Sequence, residues 1–255
     1  WIMPYLESLE EEIHKYYKGE VLNTIYIGGG TPTSLDDNEL EYLLHITNAL
    51  NKDKSYEFTV EANISDLTLN KIKLLKKYGV NRISIGIQTW NKDLQKTLNR
   101  MEDYCDVKNT ITNLKNNGID NINLDLMYAI PKEECKDLIL DLEYILSLDI
   151  PHISTYSLIL EPNTLLYMKK IKEIDPELDA KMYDLICNTL KKNGYNHYEV
   201  SNFAKPNYES KHNLTYWNND EYYGFGLGAS GYIGNQRYTN HSNLTKYINK
   251  DYKRE

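Results

Sequence analysis

Asn23-Thr24-Ile25-Tyr26-Ile27-Gly28-Gly29-Gly30-Thr31-Pro32-Thr33 is the stretch on which the reading of this chain turns. Its first half is apolar and β-branched, the composition of a buried strand. It then breaks at three consecutive glycines and is pinned by a proline. Three glycines lose conformational entropy and supply no side-chain packing. Two readings account for them: a tight strand-to-helix turn, or a floor of bare backbone on which unpaired N–H and C=O groups hold the polar end of a small ligand. Neither common phosphate cradle is present, since no Gly-Lys-Ser/Thr follows and the spacing is not G-x-G-x-x-G.

The segments around this stretch repeat one pattern. Residues 1–18 predict an amphipathic helix with Leu6, Leu9, Ile13 and Tyr17 on one face. After the glycines, Ser34 is placed to cap a helix whose first turn holds Asp36 and Asp37 and whose stripe is Leu40, Leu43, Leu44 and Leu50. Strands are predicted at residues 56–61, 82–88, 121–127 and 152–158. Between them lie a helix closed by Gly79, helical residues running through Asn117 to Gly118, and a helix marked by Leu138, Leu142, Ile145 and Leu146. Strands alternating with helices across short linkers mean right-handed β-α-β units and a parallel sheet. Five such repeats without a reversal predict an α/β fold, a full or partial β/α barrel and not a doubly wound sheet. In a barrel the chemistry sits at the C-terminal ends of the strands. There this chain places Gly28 to Gly30, Glu61, Gln88 and Asp125. Each alone reads as a cap for the next helix, whereas four in register read as one ligand site.

From Asp175 the pattern changes. A helix carrying Leu178, Met182, Leu185, Ile186 and Leu190 leads to a strand of mixed polarity at 198–203 and then to a long loop dense in Tyr, Asn and Gly. The expected division is therefore a partial barrel over 1–174 and a smaller α+β region over 175–255. A loop of that length in a compact fold is commonly functional.

Composition narrows the class. The 255 residues are 41% hydrophobic and 26% charged, ordinary for a globular chain with a real core. A net charge of −8 argues against nucleic acid as the main partner. No apolar run approaches a membrane span, and no signal peptide opens the chain, so a cytoplasmic protein is expected. Cys105, Cys135 and Cys187 are widely spaced, fit neither a disulfide framework nor a metal site, and read as isolated thiols.

The blocks Gly28-Gly29-Gly30-Thr31-Pro32, Val60-Glu61-Ala62-Asn63, Ser84-Ile85-Gly86-Ile87-Gln88-Thr89-Trp90-Asn91, Asn99-Arg100 and Asn123-Leu124-Asp125-Leu126-Met127-Tyr128-Ala129-Ile130-Pro131 together resemble the radical S-adenosylmethionine (SAM) enzymes related to oxygen-independent coproporphyrinogen III oxidase. The resemblance covers nearly the whole chain, with the blocks in family order. It implies that Gly29, Gly30 and Thr31 bind the amino group of the methionine moiety of SAM and that Arg100 pairs with its carboxylate. It implies further that Glu61, Gln88 and Asp125 contact the ribose and neighbouring polar atoms. The residue types suit this: carboxylates accept from ribose hydroxyls and balance a sulfonium, and a guanidinium fork matches a carboxylate.

Within that family, His212-Asn213-x-x-Tyr216-Trp217 resembles the haem-chaperone branch, the HemW type, more than the oxidase. This implies binding of haem and its delivery to respiratory proteins, with His212, Tyr216 and Trp217 as haem contacts. The plain alternative is an ordinary loop hydrogen bond from His212 beside core aromatics. The oxidase reading, two decarboxylations to protoporphyrinogen IX, stands second. A β/α-barrel hydrolase or isomerase using Glu61 and Asp125 as paired carboxylates stands third. The family's C-x-x-x-C-x-x-C motif, which holds a [4Fe–4S] cluster, does not occur in this sequence. The expectation is a fragment whose cluster loop precedes Trp1 and whose last domain follows Glu255, with weak or no SAM binding and no catalysis by itself. Glu102, where many relatives have histidine, and Ala229-Ser230-Gly231, in place of an Ala-His-Ser block, are further departures.

Overall fold

The computed structural model describes residues 1–101, 104–160, 162, 165–168 and 174–254, with the side chains at 104, 105 and 165 left aside. The Glu102 departure, the Cys105 thiol and the terminal Glu255 lie outside the described residues.

Five parallel strands lie side by side in chain order: β1 (Leu22–Ile27), β2 (Lys52–Ala62), β3 (Arg82–Gln88), β4 (Asn121–Tyr128) and β5 (His152–Ser157). The antiparallel strands β6 (Asn196–Glu199) and β7 (Asn202–Ala204) extend the same sheet in the order β5-β7-β6. The curled seven-stranded sheet is the expected partial barrel, and a separate hairpin, β8 (Ser230–Ile233) with β9 (Gln236–Thr239), follows.

Side-chain alternation divides the sheet into two unlike faces. On β2 Phe58 and Val60, on β3 Ile83, Ile85 and Ile87, and on β4 Ile122, Leu124 and Leu126 are fully buried in the outer core. They pack against α2 (Asp37–Asn48), α3 (Leu69–Lys77), α5 (Tyr104–Asn116), α6 (Cys135–Ser147) and α8 (Pro176–Lys192). Each such side chain contributes roughly 1.5–3 kcal/mol of burial. The intervening residues Glu57, Thr59, Glu61, Arg82, Ser84, Asn123 and Asp125 are polar and line the concave side.

Local chemistry differs from expectation in four places. The N-cap of α2 is Asp36 and not Ser34: Asp36 accepts from the N–H groups of Asn38 and Glu39, and the Glu39 carboxylate accepts from Asp36 N. Ser34 instead sits in a short 3-10 turn, donating to Thr31 O. The helical stretch ending at Asn117 is two helices, α4 (Lys92–Thr97) and α5, because Asn99 turns into the left-handed region at φ 54°. The strand expected at 198–203 is two strands, reversing at Val200, whose carbonyl is held by the Tyr183 hydroxyl. The long loop contains α9 (Lys211–Trp217) and the β8–β9 hairpin, and the short helices α7 (Leu165–Met168) and α10 (Leu244–Ile248) complete the set with α1 (Ile2–Tyr16).

One buried carboxylate ties the two ends together. Glu12 on α1 is fully buried and accepts from Gly226 N (2.8 Å), Asn240 Nδ2 (2.8 Å) and Tyr247 Oη (2.6 Å), with Arg254 Nη2 at 3.4 Å. The Arg254 guanidinium lies between the rings of Tyr16 and Tyr238, 3.7 and 4.3 Å from their centroids. A second buried carboxyl, Glu133, closes the loop after β4, where Ala129 and Lys132 both have positive φ. It accepts from Ile130 N at 2.9 Å through one oxygen, and the other meets no hydrogen-bond partner among the described residues. Burial pushes this carboxyl up to about 8 against the lowering effect of the Ile130 N–H, and the neighbouring Asp141 adds to the rise.

Glu12→Ala strands three donors and a guanidinium, and is expected to cost about 3–5 kcal/mol in urea unfolding. Glu133 titrates near 4.5 unfolded and about 8 folded, so its contribution to stability is complete below 4.5 and lost as pH rises through 8. Glu133 should therefore lower the unfolding free energy progressively between about pH 4.5 and 8, with a slope of up to roughly 1.4 kcal/mol per unit, and Glu133→Gln should flatten that slope.

Candidate cofactor site

The C-terminal ends of β1 to β4 converge on a few polar groups. Glu61, on the last turn of β2, accepts from Tyr26 Oη at 2.6 Å and from Gly29 N at 3.1 Å. The three glycines then have separate reasons to be glycine. A Cβ on Gly28 would lie 2.6–2.7 Å from the Glu61 carboxyl, and Gly29 has φ +86°. A Cβ on Gly29 or Gly30 would meet nothing within 4 Å, so that side of the backbone faces open space. The stretch is a tight turn, and its backbone is open on one side. Thr31 accepts from Asn63 Nδ2 at 3.3 Å, which orients the end of the loop.

Gly86 is the second meeting point, and sequence reasoning passed over it. A Cβ there would come 2.9 Å from Gln88 Nε2, 3.1 Å from Arg100 Nη1 and 4.0 Å from Asp125 Oδ2. A glycine inside an otherwise β-branched strand, Ile85-Gly86-Ile87, is the signal that marks such close approach. Gln88 itself takes φ 75°, a left-handed conformation that turns the chain at the end of β3. Asp125 accepts from Asn123 Nδ2 at 2.7 Å. Burial raises its carboxyl to about 6, the nearby Glu61 charge adds to that, and Asn123 and Arg82 oppose it.

Below this layer the concave face is a hydrogen-bonded network. Asn123 also donates to Ser84 Oγ (2.8 Å) and accepts from Ser154 Oγ (3.0 Å), and its Oδ1 meets His152 Nδ1 at 2.6 Å. His152 Nε2 meets Tyr198 Oη at 2.8 Å, and burial holds the imidazole well below its usual range. The ring is therefore neutral and occupied on both sides.

The structure brings Gly29, Glu61, Gln88, Arg100 and Asp125 together, with Gly30 and Thr31 on the adjoining loop. It puts His212 elsewhere, toward the N-terminal ends of the strands. There Glu57 accepts from Ser210 Oγ, Lys211 N and His212 N and so seats the start of α9. The His212 ring stacks on Tyr26 with centroids 4.9 Å apart; Nδ1 meets Thr24 Oγ1 at 2.9 Å and Nε2 meets Tyr216 Oη at 2.8 Å. Burial lowers the imidazole to about 4, and neither nitrogen keeps a free lone pair in this arrangement. Tyr216 and Trp217 remain exposed. A groove of about 1270 Å³ along β1 joins the glycine loop to His212 and Tyr216, walled by α1 and by residues 222–229.

Residues 3–145 match the sequence model of the Radical SAM superfamily. The haem chaperone HemW of Lactococcus lactis subsp. lactis (strain IL1403) is 45% identical over 249 residues, covering 96% of this chain and 65% of that protein. HemW of Bacillus subtilis (strain 168) is 44% identical over 254 residues, covering 96% and 67%. The chain thus spans about two thirds of the length of these relatives. Among solved structures, the coproporphyrinogen III oxidase HemN of Escherichia coli, described as a radical SAM enzyme, superposes with a TM-score of 0.85 at 22% identity, over 98% of this chain and 62% of that one, which is a likeness of fold. By sequence, this chain belongs to the radical SAM superfamily, in the group of the HemW proteins.

Proposed function

We propose that the chain belongs to a radical SAM haem chaperone of the cytoplasm, which binds SAM at the strand ends and passes haem to haem-accepting respiratory proteins. The observation that carries this is the identity to HemW proteins across 96% of the chain, twice that to the HemN oxidase. The oxidase reading rests on fold alone.

The SAM role assigned to the strand ends fits their chemistry. Gly29, Gly30 and Thr31 offer backbone and hydroxyl groups to the methionine amino group, and Arg100 beside Gly86 offers a fork to its carboxylate. Glu61 and Asp125 bring two carboxyls toward a cation, and with Gln88 they can accept from ribose hydroxyls. In the superfamily generally SAM works with a [4Fe–4S] cluster, which supplies one-electron chemistry. Among the described residues no group of three or more His, Cys, Asp or Glu side chains is placed to hold a metal, so the cluster rests on family membership. We assign the SAM core to 1–174 and the haem-facing part to 175–255. For haem, Tyr216 and Trp217 present exposed aromatic faces, and His212 reaches iron only by releasing Thr24 or Tyr216. Among the described residues no helix is long and apolar enough to cross a membrane.

The full-length protein, reconstituted anaerobically, is expected to bind haem stoichiometrically and to leave coproporphyrinogen III unchanged. Oxidative decarboxylation of that substrate, with haem binding unaffected by His212→Ala, would overturn the assignment. SAM affinity, measured by calorimetry, should weaken as pH falls through about 6, because Asp125 must give up a proton before it can face the sulfonium. Asp125→Asn should flatten that dependence and weaken binding about tenfold at neutral pH.

A further inference from the structure

Thr59, Arg82 and Asn121 stand shoulder to shoulder on β2, β3 and β4, in register across the concave face. Each carries one buried polar atom without a hydrogen-bond partner among the described residues: Thr59 Oγ1, Arg82 Nε and Asn121 Oδ1. Arg82 is only 2% exposed and makes no ion pair among the described residues. Its charge acts on Tyr26, Asp125, His152 and Tyr156, which sets the guanidinium inside the half barrel. The surrounding polar groups have found partners, with Asn123 binding Ser84, Asp125, His152 and Ser154. This row stands apart from that network and from the strand-end site.

A buried guanidinium without a counter-ion costs several kcal/mol, and a carboxylate that is near but not in contact leaves its N–H donors unmet. Asp125 spends one oxygen on Asn123 and does not pair with Arg82. The ligand group that matches the row is a second carboxylate. Its two oxygens take the guanidinium fork, the Thr59 hydroxyl donates alongside, and the Asn121 amide can turn its N–H inward. Thr59 is fully buried, so only a narrow group on a flexible arm reaches it.

We propose that the row Thr59, Arg82 and Asn121, at the level where β3 and β4 begin, is the seat of a carboxylate arm on a molecule that enters the half barrel. A tetrapyrrole propionate is such an arm, and the inference rests on the haem reading only for the choice of probe.

The test uses the full-length protein with haem and with haem dimethyl ester, which lacks the carboxylates. Wild type is expected to bind the diacid about tenfold more tightly than the ester. Arg82→Gln should erase that preference while leaving ester binding within about twofold. Asn121→Asp, which places a negative charge beside the seat without removing the arginine, should weaken the diacid alone and serves where Arg82→Gln does not fold. A preference for the diacid that survives both substitutions, or equal binding of acid and ester, overturns the inference and leaves haem binding intact. If wild type binds neither probe, the haem reading fails and the seat is decided by propionate ions against chloride at equal ionic strength. A rise in melting temperature seen in wild type and lost in Arg82→Gln supports the seat, and its absence, the result expected of a row filled by water alone, overturns it.

Discussion

Period-two alternation along β2, β3 and β4 is the constraint from which the rest of the molecule follows. Every second residue is apolar and enters the helix-covered core, and the residues between them are polar and turn inward. A slip of one residue would bury Glu57, Arg82 and Asn123 among helices and expose Phe58, Ile83 and Ile122, so the register is strongly determined. Parallel sheets are usually apolar on both faces. Here the inner face is polar, and such a face is tolerable only where its groups bond one another or a ligand.

Glu61 shows how that demand prepares a site. Its two oxygens are fixed by a phenol on β1 and by a backbone N–H of the glycine loop before any ligand arrives. The loop is held by the carboxylate, and the carboxylate by the loop, so a ligand meets groups whose ordering cost has been met in folding. Gly86 does the same for the opposite side by leaving room for Gln88, Arg100 and Asp125 to approach one strand.

What could be read from the sequence is what depends on nearby residues. The four main β/α repeats, the glycine turn, and the polar ends at Glu61, Gln88 and Asp125 are local patterns, and each lies where its spacing puts it. The departures have other causes, some local and some set by contacts between distant residues. Asp36 outcompetes Ser34 as a cap because Glu39 completes the reciprocal pair, which a reading that stops at the first capping residue misses. The reversal at Val200 has no glycine or asparagine to announce it and depends on Tyr183, a residue of α8. His212 looks free in a loop until Thr24 and Glu57, more than 150 positions earlier, take its ring and its backbone. The unpaired row at Arg82 is invisible in one dimension, since its three members are separated by whole helices.

The Glu12 contacts also order events in time. α1 leaves the ribosome long before Gly226, Asn240, Tyr247 and Arg254, whose sequence separations from Glu12 run from 214 to 242 residues. Until they arrive, the carboxylate stays in water and the apolar face of α1 leans on Leu43 and Ile46 of α2, with Ile27, Leu35, Tyr42 and Leu50 beside them. Long-range closure of this kind is slow to form, so the nascent chain carries α1 as an unfinished joint until β9, α10 and Arg254 are made.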